Sequence, residues 1–263
     1  MPDFPLILAG FAVGLIVGLT GVGGGSLMTP ILIFFFGVKP YLAVGTDLLF
    51  AAVTKAGGTL TLARQRLVPW RVVAQLSAGS LPAAAITLFV LHRLGPASPA
   101  VQSVMTGTLG VALLLTAAAM LYKAVRGRQL PRHLAEGDLA DASRARHPAL
   151  PVLFGAVIGA LVTLTSVGAG AIGVSVLLLL FPLLPLPRIV AADIAYAVPL
   201  TLVAGLGHAS LGSVDWRLLG LLLCGSLPGI WLGARLMRHT PERLVRSLLS
   251  MLLAYAGLKL IAA

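Results

Sequence analysis

Charge is what this 263-residue chain has least of. Only 10% of its residues are charged, and just eight of them are Asp or Glu. A soluble domain carries roughly 25% charged residues, enough to coat a water-facing surface. A globular soluble enzyme and a disordered chain are therefore excluded. The single cysteine, Cys224, excludes an intrachain disulfide framework. It lies in an apolar run and reads as a small core filler. Met1-Pro2-Asp3 lacks the basic start of a cleavable signal peptide. No metal-ligand cluster, catalytic triad or nucleophile–base pair stands out. The glycine run at 21–25 lacks the Lys-Ser/Thr ending of a phosphate loop. No catalytic residues, cofactor, metal or ATP-driven step is expected.

Hydrophobic residues are what is abundant, at 58%, with a mean hydropathy of +1.01. The expected fold class is an all-α polytopic membrane protein, because lipid leaves the backbone no partner but itself. The formal charge of +11 does not indicate nucleic acid. The basic residues lie between hydrophobic runs, where Lys and Arg orient a membrane protein. Those runs fall at 4–20, 26–36, 42–63, 69–91, 99–122, 149–166, 171–184, 189–209, 216–237 and 244–262. Most approach the ~20 residues that span a bilayer core. Two are short, and each follows glycines: Gly23, Gly24 and Gly25 before the first, Gly168 and Gly170 before the second. A straight helix over 4–36 would reach ~50 Å, too long for one crossing. Re-entrant or hairpin pairs are expected, joined by unwound backbone.

The chain repeats itself. At an offset of 145, Leu19-Thr20 meets Leu164-Thr165 and Val22-Gly23 meets Val167-Gly168. At 146, Asp47 meets Asp193, Trp70-Arg71 meets Trp216-Arg217, and Gly79-Ser80-Leu81-Pro82 meets Gly225-Ser226-Leu227-Pro228. The expected organisation is a first transmembrane repeat over 1–122, a charged connector over 123–148 and a second repeat over 149–263. If each glycine-broken pair is a hairpin, fourteen Lys/Arg fall on one side and four on the other. That bias places the connector in the cytoplasm and makes the repeats inverted, as in secondary transporters. If each pair is one kinked crossing, the repeats are parallel and the bias weakens.

Several residues carry candidate chemistry. Unwound backbone at membrane depth belongs where it lines a cavity, and a half-helix beginning there offers free N–H groups and a positive dipole end to an anion. Gly23, Gly24 and Gly25 with Ser26 and Thr29 form one candidate substrate site. Thr165, Ser166, Gly168 and Gly170 form its counterpart. Close helix packing through small residues is the competing account. Lys55 lies 13 residues into its run, where a charge costs at least ~2.5–3.5 kcal/mol and marks a functional site by default. It could neutralise an anionic substrate or pair with Asp47, two turns earlier. Asp47 and Asp193 occupy equivalent positions and are candidates for gating or proton coupling, or for helix capping. His208 is a third proton-coupling candidate, or a packed interfacial histidine. Pro82 and Pro228 should bend their helices, and the two Trp-Arg pairs suit membrane interfaces.

These features resemble the TauE/SafE sulfite exporter family, also called the TSUP permeases. The resemblance is carried by the stretch from Gly14 to Gly25, Thr29-Pro30, the second copy Val167-Gly168-Ala169-Gly170, the aspartate pair and the Gly-Ser-Leu-Pro repeats. It implies transport of a small sulfur-containing anion such as sulfite or an organosulfonate across a bacterial cell membrane, with other anions open for individual members. Ala169 stands where the first copy has Gly24, so the two breaks differ. A secondary transporter is the leading expectation, and a passive anion channel or a non-transporting scaffold the rivals. The expected partners are the small anion, protons and the lipid bilayer; a homo-oligomer is open.

Overall fold

The computed structural model describes residues 3–20, 25–126, 149–168, 170–236 and 242–262. Among these residues the protein is all-helical. The first half holds α1 (Asp3–Thr20), α2 (Gly25–Phe36), α3 (Pro40–Arg64), α4 (Trp70–Leu94) and α5 (Pro99–Arg126). The second holds α6 (Ala149–Thr165), α7 (Ala171–Leu180), α8 (Leu186–Ser210), α9 (Trp216–Leu236) and α10 (Glu242–Ala262). The helices follow the apolar runs closely. Four of them, in α4, α5, α8 and α9, are long and apolar enough to cross a membrane. The last helix of the first half runs on to Arg126, and the rest of the expected connector over 123–148 lies outside the described residues.

The expected half-helix over 171–184 is shorter than its apolar run. α7 stops at Leu180, and Phe181–Leu184 forms a turn closed by Leu184 N–H donating to the Phe181 carbonyl at 3.1 Å. Pro182 has no N–H to continue the helical ladder. At 12 and 10 residues, α2 and α7 reach about 18 and 15 Å, well short of a bilayer core. By contrast, Pro82 and Pro228 sit inside continuous helices.

The packing exchanges when the halves are exchanged. α1 lies along α9, and its counterpart α6 lies along α4; α3 pairs with α8, and α5 with α10. The match extends to single residues. A Cβ on Gly14 would stand 2.7 Å from the Ser226 Cα, and one on Gly159 2.7 Å from the Ser80 Cα. Gly79 lies against the Val152 carbonyl and Gly225 against the Ile7 carbonyl. Small residues let these backbones approach where no water-driven force joins the helices. The turns match too. Arg66 after α3 and Gly212 after α8 have φ of 56° and 68°, the left-handed region that costs a side chain energy. An Arg66→Gly variant should therefore tolerate heat at least as well as the native chain, whereas Gly212→Val should melt at a lower temperature; thermal unfolding in detergent checks both.

Cys224 does not fill the core. It is exposed, because α9 turns Leu222, Gly225 and Ser226 toward α1 and leaves Cys224 on the opposite side. An apolar run names buried segments but does not say which stripe packs on protein and which meets lipid. Trp70 and Trp216 are likewise exposed, each as the first residue of its helix.

Candidate substrate site

The chemistry converges where α3 and α8 cross the starts of the half-helices. Asp47 is fully buried in α3, and its Oδ2 accepts a 2.5 Å hydrogen bond from Thr29 Oγ1 on α2. Ser166, from the break of the other repeat, faces the same carboxylate without meeting hydrogen-bond geometry. Two turns along α3, Lys55 is 5% exposed. It is attracted first to Asp193 on α8 and second to Asp47. Asp193 is buried beside Tyr196, one turn on. The Asp193 carboxylate lies against the first turn of α7, where a Cβ on Gly173 would collide with its Oδ1 and stand 3.4 Å from the Tyr196 hydroxyl.

The second break holds Ser166, Gly168 and Gly170. Ser166 has φ of 58°, Gly168 134° and Gly170 141°. The last two values are strained for any residue with a side chain. Thr165 shapes this turn rather than facing outward from it. Its hydroxyl accepts from the Val167 N–H at 3.1 Å and lies 2.7 Å from the Leu161 carbonyl. α7 starts after Gly170 with no side-chain cap, so its first N–H groups depend on what lies before them.

The structure thus brings Thr29, Asp47, Lys55, Ser166 and Asp193 together. Gly168 and Gly170 form the break beside them. Gly25 and Ser26 begin α2, but the Ser26 side chain lies outside the described residues, as do Gly23 and Gly24. His208 is used elsewhere: its Nε2 donates to the Thr163 carbonyl at 2.9 Å, and its Cβ packs where Gly45 leaves room. It ties α8 to α6 and α3. Two participants were not read from the sequence, Tyr196 and Gly173. The signal for Tyr196 was present: at the repeat offset of 146 it meets Phe50, also fully buried.

A separate cavity of about 330 Å³ opens at one end of the protein. Asp3, Lys39, Tyr41, Asp215 and Arg217 line it. An Asp3–Arg217 ion pair of 2.7 Å crosses its rim, with both side chains half or more exposed. Such exposed pairs contribute little, so Asp3→Ala should change stability by less than about 1 kcal/mol in a denaturant or thermal melt. The cavity does not include the Asp47–Lys55–Asp193 cluster, which is closed off by packed side chains. The Asp215 N–H donates to Thr46 Oγ1 at 3.0 Å, which ties the cavity wall to the residue preceding Asp47.

The family described as sulfite exporter TauE/SafE matches residues 6–260. The chain belongs to the TauE/SafE family. It is similar to a probable membrane transporter protein, YjnA, of Bacillus subtilis, with 36% identity over 97% of this chain and 98% of that protein. It is also similar to the probable membrane transporter YunE of Bacillus subtilis, at 27% identity over 97% and 96% of the two chains. A third relative is the probable membrane transporter MJ0441 of Methanocaldococcus jannaschii, at 24% identity over 96% and 93%. No solved structure matches the chain. As a TauE/SafE member the protein is a multi-pass membrane transporter rather than an enzyme, and a transporter of this family implies a small substrate.

Proposed function

We propose that the protein is a secondary transporter, in the export direction, of a small anion, a sulfur oxyanion such as sulfite or an organosulfonate. One observation carries the reading: a buried lysine held between carboxylates of both halves, where two glycine-broken half-helices begin. A cation at that depth is costly unless it serves a ligand or a partner. Half-helix N-termini favour negative charge. Lys55, Thr29, Ser26, Ser166 and the main chain at Gly23, Gly24, Gly25, Gly168 and Gly170 would hold the anion. The exchange of packing partners between halves, with the fourteen-to-four charge bias, supports inverted repeats, hairpin breaks and a cytoplasmic connector over 123–148. Movement of one repeat against the other would then open the site to each face in turn, with Asp47, Asp193 and His208 as the titratable groups along the route.

Counterflow tests this reading. Proteoliposomes preloaded with unlabelled sulfite or sulfoacetate should accumulate the labelled anion transiently, and Gly23→Val should abolish that overshoot. Flux that is neither saturable nor stimulated by anion on the opposite side would indicate a passive channel. Absence of flux with every anion, together with unchanged cellular function of Gly23→Val, would indicate a scaffold.

A further inference from the structure

The buried cluster has no positive charge to spare. Asp47 and Asp193 set two carboxylates against the single Lys55 ammonium before any anion arrives. Adding an anion to Lys55 in this low-dielectric site would make the cluster more negative, and uncompensated charge at membrane depth is strongly disfavoured. Charge must enter with the anion or move away from it.

The geometry indicates where. Lys55 is attracted most to Asp193, and Asp193 already lies against the first turn of α7. Asp193 therefore stands between the lysine and the first turn of α7, with its Oδ1 against Gly173. Asp47, in contrast, is held by the Thr29 hydroxyl at 2.5 Å. Two hydroxyls stand ready for a new acceptor. Ser166 Oγ and Tyr196 Oη are buried and have no hydrogen-bond partner among the described residues. The Tyr196 oxygen also lies over the α7 start, beside Gly173. The repeat makes this specific. Tyr196 aligns with Phe50 and Lys55 with Thr201, so lysine and phenol are chemistry that each half has alone. Among the described residues, Lys55 from α3 and Tyr196 from its own helix face Asp193, and Asp47 faces Lys55 in turn; His208 faces the Thr163 carbonyl instead.

We propose that the substrate anion and Asp193 compete for Lys55, so that each anion bound is accompanied by one proton taken up by the Asp193 carboxylate, with the Tyr196 hydroxyl donating to the anion. This rests on the anion-transporter reading above. The step is a proton transfer and a change of ion partner. The Lys55 ammonium turns from Asp193 to the anion, and the carboxylate left behind is neutralised by a proton from the solution on the side of entry.

The test uses the full chain in proteoliposomes, with the monovalent sulfonates methanesulfonate and isethionate as probes and a pH-sensitive dye inside. Both anions stay ionised at neutral and mildly acidic pH, so any proton that moves is carried by the protein. In the native chain, an inward anion gradient should acidify the lumen, and an inward proton gradient should drive uphill anion uptake. Asp193→Asn should lose both the acidification and the uphill uptake, and should lower the KM for the anion, because asparagine no longer competes with it for Lys55. Tyr196→Phe, which installs the residue that its repeat partner Phe50 already accommodates, should raise KM by about tenfold or more, the loss of one hydrogen bond to a charged group, with the proton-to-anion ratio unchanged. Anion flux in the native chain without acidification would overturn the proposal and leave the transporter reading standing. So would an Asp193→Asn variant that still moves protons with the anion. An unchanged KM in Tyr196→Phe would remove the tyrosine from the site. Absence of flux with both probes in the native chain would overturn the transporter reading for sulfur anions, and this inference with it.

Discussion

Lys55→Ala is expected to abolish anion binding and to destabilise the protein by about 3–5 kcal/mol, the cost of breaking a buried charge pair from one side. The reason is that the variant leaves Asp47 and Asp193 buried with no cation between them. Two controls separate binding from folding. Arg93→Ala should leave binding near the native level, since Arg93 sits in the last turn of α4 over the Phe89 ring at 5.0 Å, far along the chain from the cluster. A Lys55→Ala/Asp193→Asn double variant should recover most of the lost stability by removing the second unpaired charge, and should still bind at least tenfold more weakly than the native chain, in line with the loss of a charge-assisted contact. Thermal melts with and without anion read both quantities. Equal anion responses in Lys55→Ala and Arg93→Ala would remove Lys55 from the substrate site.

The second large effect concerns how the halves hold together. Gly79→Ala and Gly225→Ala should each lower stability by about 3 kcal/mol or more, at or beyond the upper end of ordinary overpacking. In each case the new methyl group meets main chain rather than a side chain that can turn aside. At Gly79 it would collide with the Val152 carbonyl and stand 2.9 Å from the Ala156 nitrogen. At Gly225 it would collide with the Ile7 carbonyl and stand 2.8 Å from the Phe11 nitrogen. Relief requires α4 to part from α6, or α9 from α1. The similar surroundings predict similar losses, which is a test of the repeat as well as of the packing. Gly220→Ala, with nothing within 4 Å of the added carbon, should be neutral or gain up to about 1 kcal/mol from helix propensity. Matching melting temperatures for all three variants would contradict the packing described for these helices.

The helices were legible in the sequence because lipid imposes one rule on every span: a long apolar run that pairs its own backbone. The correspondence between the halves was legible for a similar reason. Gly14 and Gly159, and Gly79 and Gly225, sit where backbones touch, so a side chain at either position meets the same obstacle. Faces were not legible. Cys224 lies in a run as apolar as its neighbours and is exposed, because both lipid and protein accept apolar side chains. The boundary of α7 was missed because Pro182 interrupts a run that hydropathy alone joins. Within the site, Lys55, Asp47 and Asp193 were visible as charges where charge is expensive. Their common meeting point was not, since α3 and α8 come from different halves and only their packing brings Lys55 to Asp193. Tyr196 carried no such mark, because an aromatic residue in an apolar run is ordinary and only the fold sets its hydroxyl beside Asp193 over Gly173. His208 and Thr165 illustrate the converse: polar residues in suggestive places whose hydrogen bonds go to main chain.

The central claim, that a small sulfur anion binds at Lys55 between the two halves, is tested most directly by thermal unfolding of the purified protein with sulfite, thiosulfate, sulfoacetate, taurine and lactate, alongside Lys55→Ala and Gly23→Val. A ligand that binds only the folded state raises its stability by mass action. The account predicts a rise with at least one sulfur anion in the native chain that disappears in both variants. A rise of equal size in native and Lys55→Ala protein, or no rise with any sulfur anion, would contradict it.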